Sequence, residues 1–259
     1  MSSRATPTGL RRWWFPLTVV LAAAALAVTI LVVNRSTEDA EATTAAGAAS
    51  AQGSSSEGAD SAADEAATQV EDPQRAAFRE VEVRDESDLQ AIGPVDAPIA
   101  LIVFSDYQCP YCAAWSTDTL PSMMEYVDAG QMRIEWRDVN VFGSESEQAA
   151  KAAHAAAQQD QYWEFHDALF ADGEHRPADQ LSADALIELA GEQGLDTARF
   201  ADDMESPETQ AAVETYAQMG LDLGAFSTPT FLVDGEPIVG AQPTEVFVDA
   251  VDTALAAQG

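Results

Sequence analysis

Cys109 and Cys112 are the only cysteines in the 259-residue chain. They stand three positions apart in Phe104-Ser-Asp-Tyr-Gln-Cys-Pro-Tyr-Cys112, close enough to share one disulfide. The chemistry open to such a pair is thiol-disulfide exchange, in which a thiolate attacks a disulfide sulfur and the second thiol resolves the mixed disulfide. An inert bridge across so short a loop would constrain the unfolded chain little. A closed zinc site needs four ligands, and His154, His166 and His175 offer no finger-like spacing. The first two read as ordinary helix residues, and no metal or cofactor is expected.

The flanking sequence says how the pair is held. Ile99-Ala-Leu-Ile-Val-Phe104 is an unbroken apolar run, which fits a strand buried on both faces of a sheet. Pro110 suits the first position of a helix, because the N–H it lacks would be unpaired there anyway. Cys109 then sits at a helix N-terminus, where orphan N–H groups favour negative charge. It is the expected nucleophile, with a depressed pKa. Cys112, one turn on and expected to be more buried, is the resolving thiol. Asp106 is either a turn residue or a charge that opposes the thiolate.

The remaining elements follow from periodicity and turn chemistry. The helix from Pro110 should be interrupted near Pro121. Met132 to Val141 alternates through Ile134, Trp136 and Val139 as a second main strand. A helical region of about 144–223 follows, with helices starting near Ser146, Tyr162, Ser182, Thr197 and Pro207. Thr230-Phe-Leu-Val233 and Glu236-Pro-Ile-Val239 flank Asp234-Gly235 as a two-residue hairpin, and a last helix runs from Thr244 to about Ala257. Val81 and Val83 alternate with charges like an edge strand. A sheet split by a helical insertion accounts for this order.

Twelve Lys and Arg against 44 Asp and Glu give a net charge of −32, with Lys151 the only lysine. The acids are not confined to a tail: from Arg79 onward there are 7 bases and 35 acids. Such a surface repels polyanions, so nucleic acid is not an expected partner.

Trp13 to Val33 carries no charge and follows Arg4, Arg11 and Arg12, whereas Glu38, Asp39 and Glu41 come soon after it. Its length and flanks fit a transmembrane anchor with residues 1–12 cytoplasmic and the remainder outside. A cleaved signal ending near Ala25-Leu-Ala27 is the competing reading, and either one exports the domain. Residues 34–77, rich in Ala, Ser, Gly and acid, read as a disordered linker. Flexible coil of that length reaches roughly 35 Å. The folded part is expected over 78–259.

Three features together, Phe104-Ser-Asp-Tyr-Gln-Cys-Pro-Tyr-Cys112, the helical insertion, and Thr228-Pro-Thr-Phe-Leu-Val-Asp-Gly235, resemble the DsbA-like thiol-disulfide oxidoreductases of the thioredoxin superfamily, in their membrane-anchored bacterial form. The resemblance runs from about Gly93 to Leu255. It implies a thioredoxin-like α/β fold with an inserted helical domain, Cys109 as nucleophile and Cys112 as resolving cysteine. It also implies a cis Pro229 opposite them, and Thr228 presenting backbone groups to a substrate segment. Pro110 and Tyr111 are the dipeptide that tunes the potential. Asn140 departs from a proline common in related sequences. The expected activity is disulfide formation in secreted or cell-envelope proteins, with recycling by a membrane redox partner. The same chemistry run as a reductase or isomerase, and a tethered peptide-binding or chaperone module with regulatory cysteines, are the alternatives.

Overall fold

The computed structural model describes residues 73–258. The predicted membrane span at 13–33, most of the predicted linker, and the competing cleavage site lie outside the described residues. Among the described residues, no helix is long and apolar enough to cross a membrane.

The chain runs α1 (Pro73–Arg79), β1 (Ala91–Ile92), β2 (Ile99–Ser105), α2 (Pro110–Asp118), α3 (Leu120–Asp128) and β3 (Met132–Asp138). Five helices follow: α4 (Ser144–Ala157), α5 (Tyr162–Leu169), α6 (Ala183–Glu192), α7 (Thr197–Met204) and α8 (Pro207–Asp222). The order ends with β4 (Thr230–Val233), β5 (Glu236–Val239) and α9 (Thr244–Gln258). The strands form one sheet in the order β1-β3-β2-β4-β5. β2 and β3 are parallel, and the other pairs are antiparallel.

Every residue of β2 is buried, as its apolar run requires of a central strand. One face, through Leu101, Val103, Ile134, Trp136, Phe231 and Val233, packs on α2, α3, α9 and part of the insertion. Trp115 of α2 lies at the middle of that layer, its ring 4.6 Å from Phe231, 5.6 Å from Phe247 and 6.2 Å from Trp136. The other face, through Ala100, Ile102, Phe104 and Leu232, is covered by Phe78 of α1 and by Met219 and Leu223 near the end of α8. Gly220 allows that approach, since a Cβ there would overlap Val139 Cγ1. Asp234 and Gly235 both have positive φ, 50° and 79°, as a two-residue hairpin turn demands. Thr119 separates α2 from α3, with Pro121 in the first turn of α3.

Two expectations change. The edge strand is Ala91–Ile92, paired antiparallel with Glu135 and Ile134, and not Val81 to Val83. The backbone N–H groups of Val83 and Arg84 instead donate to the Glu135 carboxylate, at 2.9 and 2.7 Å. That segment is fixed by a side chain, so its alternation does not reflect a ladder. The linker reading also overlaps α1, whose first residue is Pro73. Arg75 and Arg79 both pair with the carboxylate of Asp234, which is 2% exposed, in the distant hairpin turn. Composition alone carries no sign of such a long-range partner.

β3 alternates apolar and charged residues yet is buried throughout. Its charges are satisfied within the protein: Arg133 pairs with Glu135 at 3.0 Å, and Arg137 with Asp88 at 2.7 Å and Glu135 at 2.9 Å. The Arg137 guanidinium also lies 4.6 Å from the Tyr216 ring centroid. Buried charges are tolerated only with partners on this scale.

Candidate active site

β2 delivers the chain to the end of the sheet, and the dithiol follows at once. Asp106 shapes the loop between them. Its Oδ1 accepts from Gln108 N at 2.8 Å and Ser146 Oγ at 2.6 Å, and its Oδ2 from Phe142 N at 3.1 Å. Asp106 is therefore a turn residue that also ties the loop to the start of α4.

Cys109 is the N-cap of α2, in an extended conformation (φ −85°, ψ 117°), and Pro110 takes the first helical position. The Cys109 carbonyl accepts the first two backbone bonds, from Cys112 N at 3.1 Å and Ala113 N at 3.2 Å. Cys109 Sγ donates to the Thr228 carbonyl oxygen at 3.2 Å. Thr228–Pro229 is a cis peptide, and the Pro229 carbonyl accepts from Gly240 N at 2.9 Å. Cys109, Pro110, Cys112, Thr228 and Pro229 are thus brought to one place, while Tyr111 points outward, 67% exposed.

Both cysteines are free thiols in this structure and both are only 1% exposed. Solvent exposure alone therefore does not separate them, but the Cys112 thiol lies the deeper in the protein, as expected, and electrostatics sets the two apart. Cys109 is lowered from 9.0 to about 6, chiefly because the Cys112 thiol donates to its thiolate. The Thr228 hydroxyl and the N–H groups of Cys112 and Tyr111 add to this, against the opposing effect of burial. Cys112 is raised, by burial first and by the neighbouring Cys109 next. The two sulfurs are chemically inequivalent, Cys109 being the one that favours its thiolate.

Several residues to which the sequence assigned no part in the site line the buried side of the pair, His166 among them, which had read as an ordinary helix residue. Tyr107 OH lies 3.3 Å from both Tyr162 OH and His166 Nδ1. Burial pushes His166 down to about 3, so its ring is neutral. The last residues of β2 and β3, Ser105 and Asp138, are also buried there. Their positions at the C-terminal ends of two parallel strands were the available signal.

A central sheet of this topology, with a helix N-terminus presenting Cys-x-x-Cys opposite a cis-proline loop, defines a thioredoxin-fold disulfide-exchange protein. The family model described as thioredoxin matches residues 85–253, and the chain belongs to that family as a DsbA-like member. It is 27% identical over 151 residues to the probable disulfide bond formation protein D of Bacillus anthracis, covering 56% of this chain and 70% of that one. It is 35% identical over 173 residues to a Na(+)/H(+) antiporter, NhaA 1, of Salinispora arenicola, covering 63% of this chain but only 24% of the antiporter. Among solved structures, a thioredoxin-like oxidoreductase from Silicibacter pomeroyi superimposes with a TM-score of 0.57 at 29% identity, covering 68% of this chain and 96% of that one. The protein is a thiol-disulfide oxidoreductase.

Proposed function

We propose that this enzyme acts outside the cytoplasm as an oxidase, passing the Cys109–Cys112 disulfide to thiols of secreted or cell-envelope proteins. A client thiolate attacks Cys109 Sγ, Cys112 leaves, and a second client thiolate releases the oxidised client and the Cys109 thiolate. The observation that carries the reading is the contrast between the two thiols. A Cys109 thiolate held at about 6 stabilises the reduced enzyme and makes its disulfide the more readily given up. Thr228 and Pro229 offer the client a backbone edge beside Cys109. Tyr111 and Phe226, 67% and 72% exposed, supply apolar contact. Recycling requires an oxidising redox partner, and a membrane protein suits the anchor expected at 13–33.

The equilibrium potential against glutathione tests the direction. A value nearer the about −120 mV of the strong oxidant DsbA than the about −270 mV of thioredoxin supports oxidation. A thioredoxin-like value would instead assign the enzyme to reduction or isomerisation. Cys112→Ala should accumulate client mixed disulfides through Cys109, and their absence would refute the assignment of the nucleophile.

A further inference from the structure

Thiol-disulfide exchange brings an attacking sulfur into line with a disulfide, so the direction in which Cys109 points is part of the chemistry. The residue before it is held at two points. Gln108 N donates to Asp106 Oδ1 at 2.8 Å, and Gln108 Nε2 donates to Ser146 Oγ at 3.1 Å. Ser146 Oγ in turn donates to Asp106 Oδ1 at 2.6 Å, a length proper to a hydroxyl bonded to a carboxylate. Cys109 N donates to the Asp106 carbonyl at 3.0 Å, which joins the nucleophile to the same ring of bonds. Asp106 and Ser146 are both 0% exposed, so bulk water does not compete for these bonds.

Ser146 belongs to a different part of the fold from the loop it holds. It stands in the first turn of α4, the helix that opens the insertion, yet it does not cap that helix: Gly143 is the N-cap, without a side-chain bond. Alanine would suit the position better on propensity alone, and seven of the other eight buried positions of α4 are alanine. Both hydrogen bonds of the Ser146 hydroxyl go to the cysteine loop. The next two residues fasten the same turn to the rest of the insertion. Glu147 Oε1 accepts from Gln210 Nε2 of α8 at 3.1 Å, and Gln148 Nε2 donates to Met204 Sδ of α7 at 3.6 Å. The first turn of α4 is therefore anchored on α7 and α8, and the loop takes its position from that turn.

We propose that Ser146 is a positioning residue for disulfide exchange: through Asp106 and Gln108 it makes the helical insertion hold Cys109 in its extended conformation, with Sγ turned to the Thr228 carbonyl. This rests on Cys109 being the nucleophile. The insertion is then part of the reacting apparatus, not only a cover over the sheet.

Without the hydroxyl, Gln108 loses its side-chain anchor and Asp106 Oδ1 loses one of its two donors. Gln108 N and Phe142 N still donate to the carboxylate, so the loop keeps its fold but visits other conformations. A loop that holds the reacting geometry about one-tenth of the time reacts about tenfold more slowly. The client edge is spared. Among the described residues, no hydrogen bond joins Thr228 or Pro229 to Asp106, Gln108 or Ser146.

The test uses the reduced full-length protein and a peptide carrying one intramolecular disulfide. Single turnovers at about pH 7 are quenched in acid, alkylated and resolved by mass spectrometry over a range of peptide concentrations, which separates the limiting rate from the half-saturating concentration. Ser146→Ala should lower the limiting rate about tenfold and leave the half-saturating concentration within about twofold. Serine and alanine are both neutral, so a charge effect on the thiolate cannot produce that loss. Gln108→Met keeps the length of the side chain, removes the bond to Ser146 and should lose about threefold. Combined with Ser146→Ala, it should be no slower than Ser146→Ala alone. An unchanged limiting rate in Ser146→Ala, a loss that falls on half-saturation, or losses that multiply in the double variant would each overturn the proposal. Gln108 is half-buried, so Gln108→Met keeps the test available if Ser146→Ala folds poorly, and an unchanged limiting rate there is equally fatal. Peptide captured on Cys112 and not on Cys109 in the wild type would instead count against the nucleophile.

Discussion

Replacing Cys109 by Ser should remove a pH-dependent part of the reduced protein's stability. A thiol lowered from 9.0 to about 6 corresponds to about 4 kcal/mol at 1.36 kcal/mol per pH decade. Because the folded value is the lower one, the contribution is complete above pH 9.0 and is lost as pH falls through about 6. The linkage relation gives about 1 kcal/mol at pH 7 and about 3 kcal/mol at pH 8. For a two-electron couple the former is about 30 mV toward an oxidising potential. Urea unfolding of reduced wild type and reduced Cys109→Ser, run in parallel from pH 5 to 8, isolates this term, since other titrating groups cancel in the difference. The gap between the two proteins should widen by about 3 kcal/mol over that range, and alkylation of Cys109 should be half-maximal near pH 6. A constant gap, or an alkylation midpoint at 8 or above, would refute the thiolate argument.

Thr228→Val keeps the shape but removes a hydroxyl that favours the Cys109 thiolate, so the alkylation midpoint should move upward; an unmoved midpoint would show that the backbone N–H groups and Cys112 suffice. Arg137→Met strips Glu135 and Asp88 of a buried partner and should cost about 3 kcal/mol in chemical denaturation, with a loss under about 1 kcal/mol counting against the importance of that ion cluster.

Much of the site could be read from the chain because local rules govern it. The apolar run before Cys109, Pro110 at the start of α2, and Asp234-Gly235 in the hairpin each obey a rule that spans a few residues. The loop around Asp106 was legible only as a turn, since its partners Phe142 and Ser146 come from a distant segment. β1 was misplaced because a two-residue strand is defined by its pairing to β3 and not by its own pattern. The charges of β3 look like a solvated face until Arg133, Glu135, Arg137 and Asp88 are seen to neutralise one another. Ser105 and Asp138 escaped notice for a related reason. Neither residue carries a motif, and only the parallel register of two strands makes them neighbours.

The attachment of α1 to Asp234 has a mechanical consequence. β4 runs antiparallel to β2, and Asp234 N donates to Ala100 O, so the hairpin turn sits at the end of the sheet where β2 begins. The cysteines follow the end where β2 finishes. Along the seven residues of β2 that separation is roughly 20 Å. Any pull transmitted through residue 73 therefore acts on the heel of the domain and leaves the cysteine end as its free, leading end. A client would meet the reactive pole at the opposite end of the sheet from the α1 contact with Asp234.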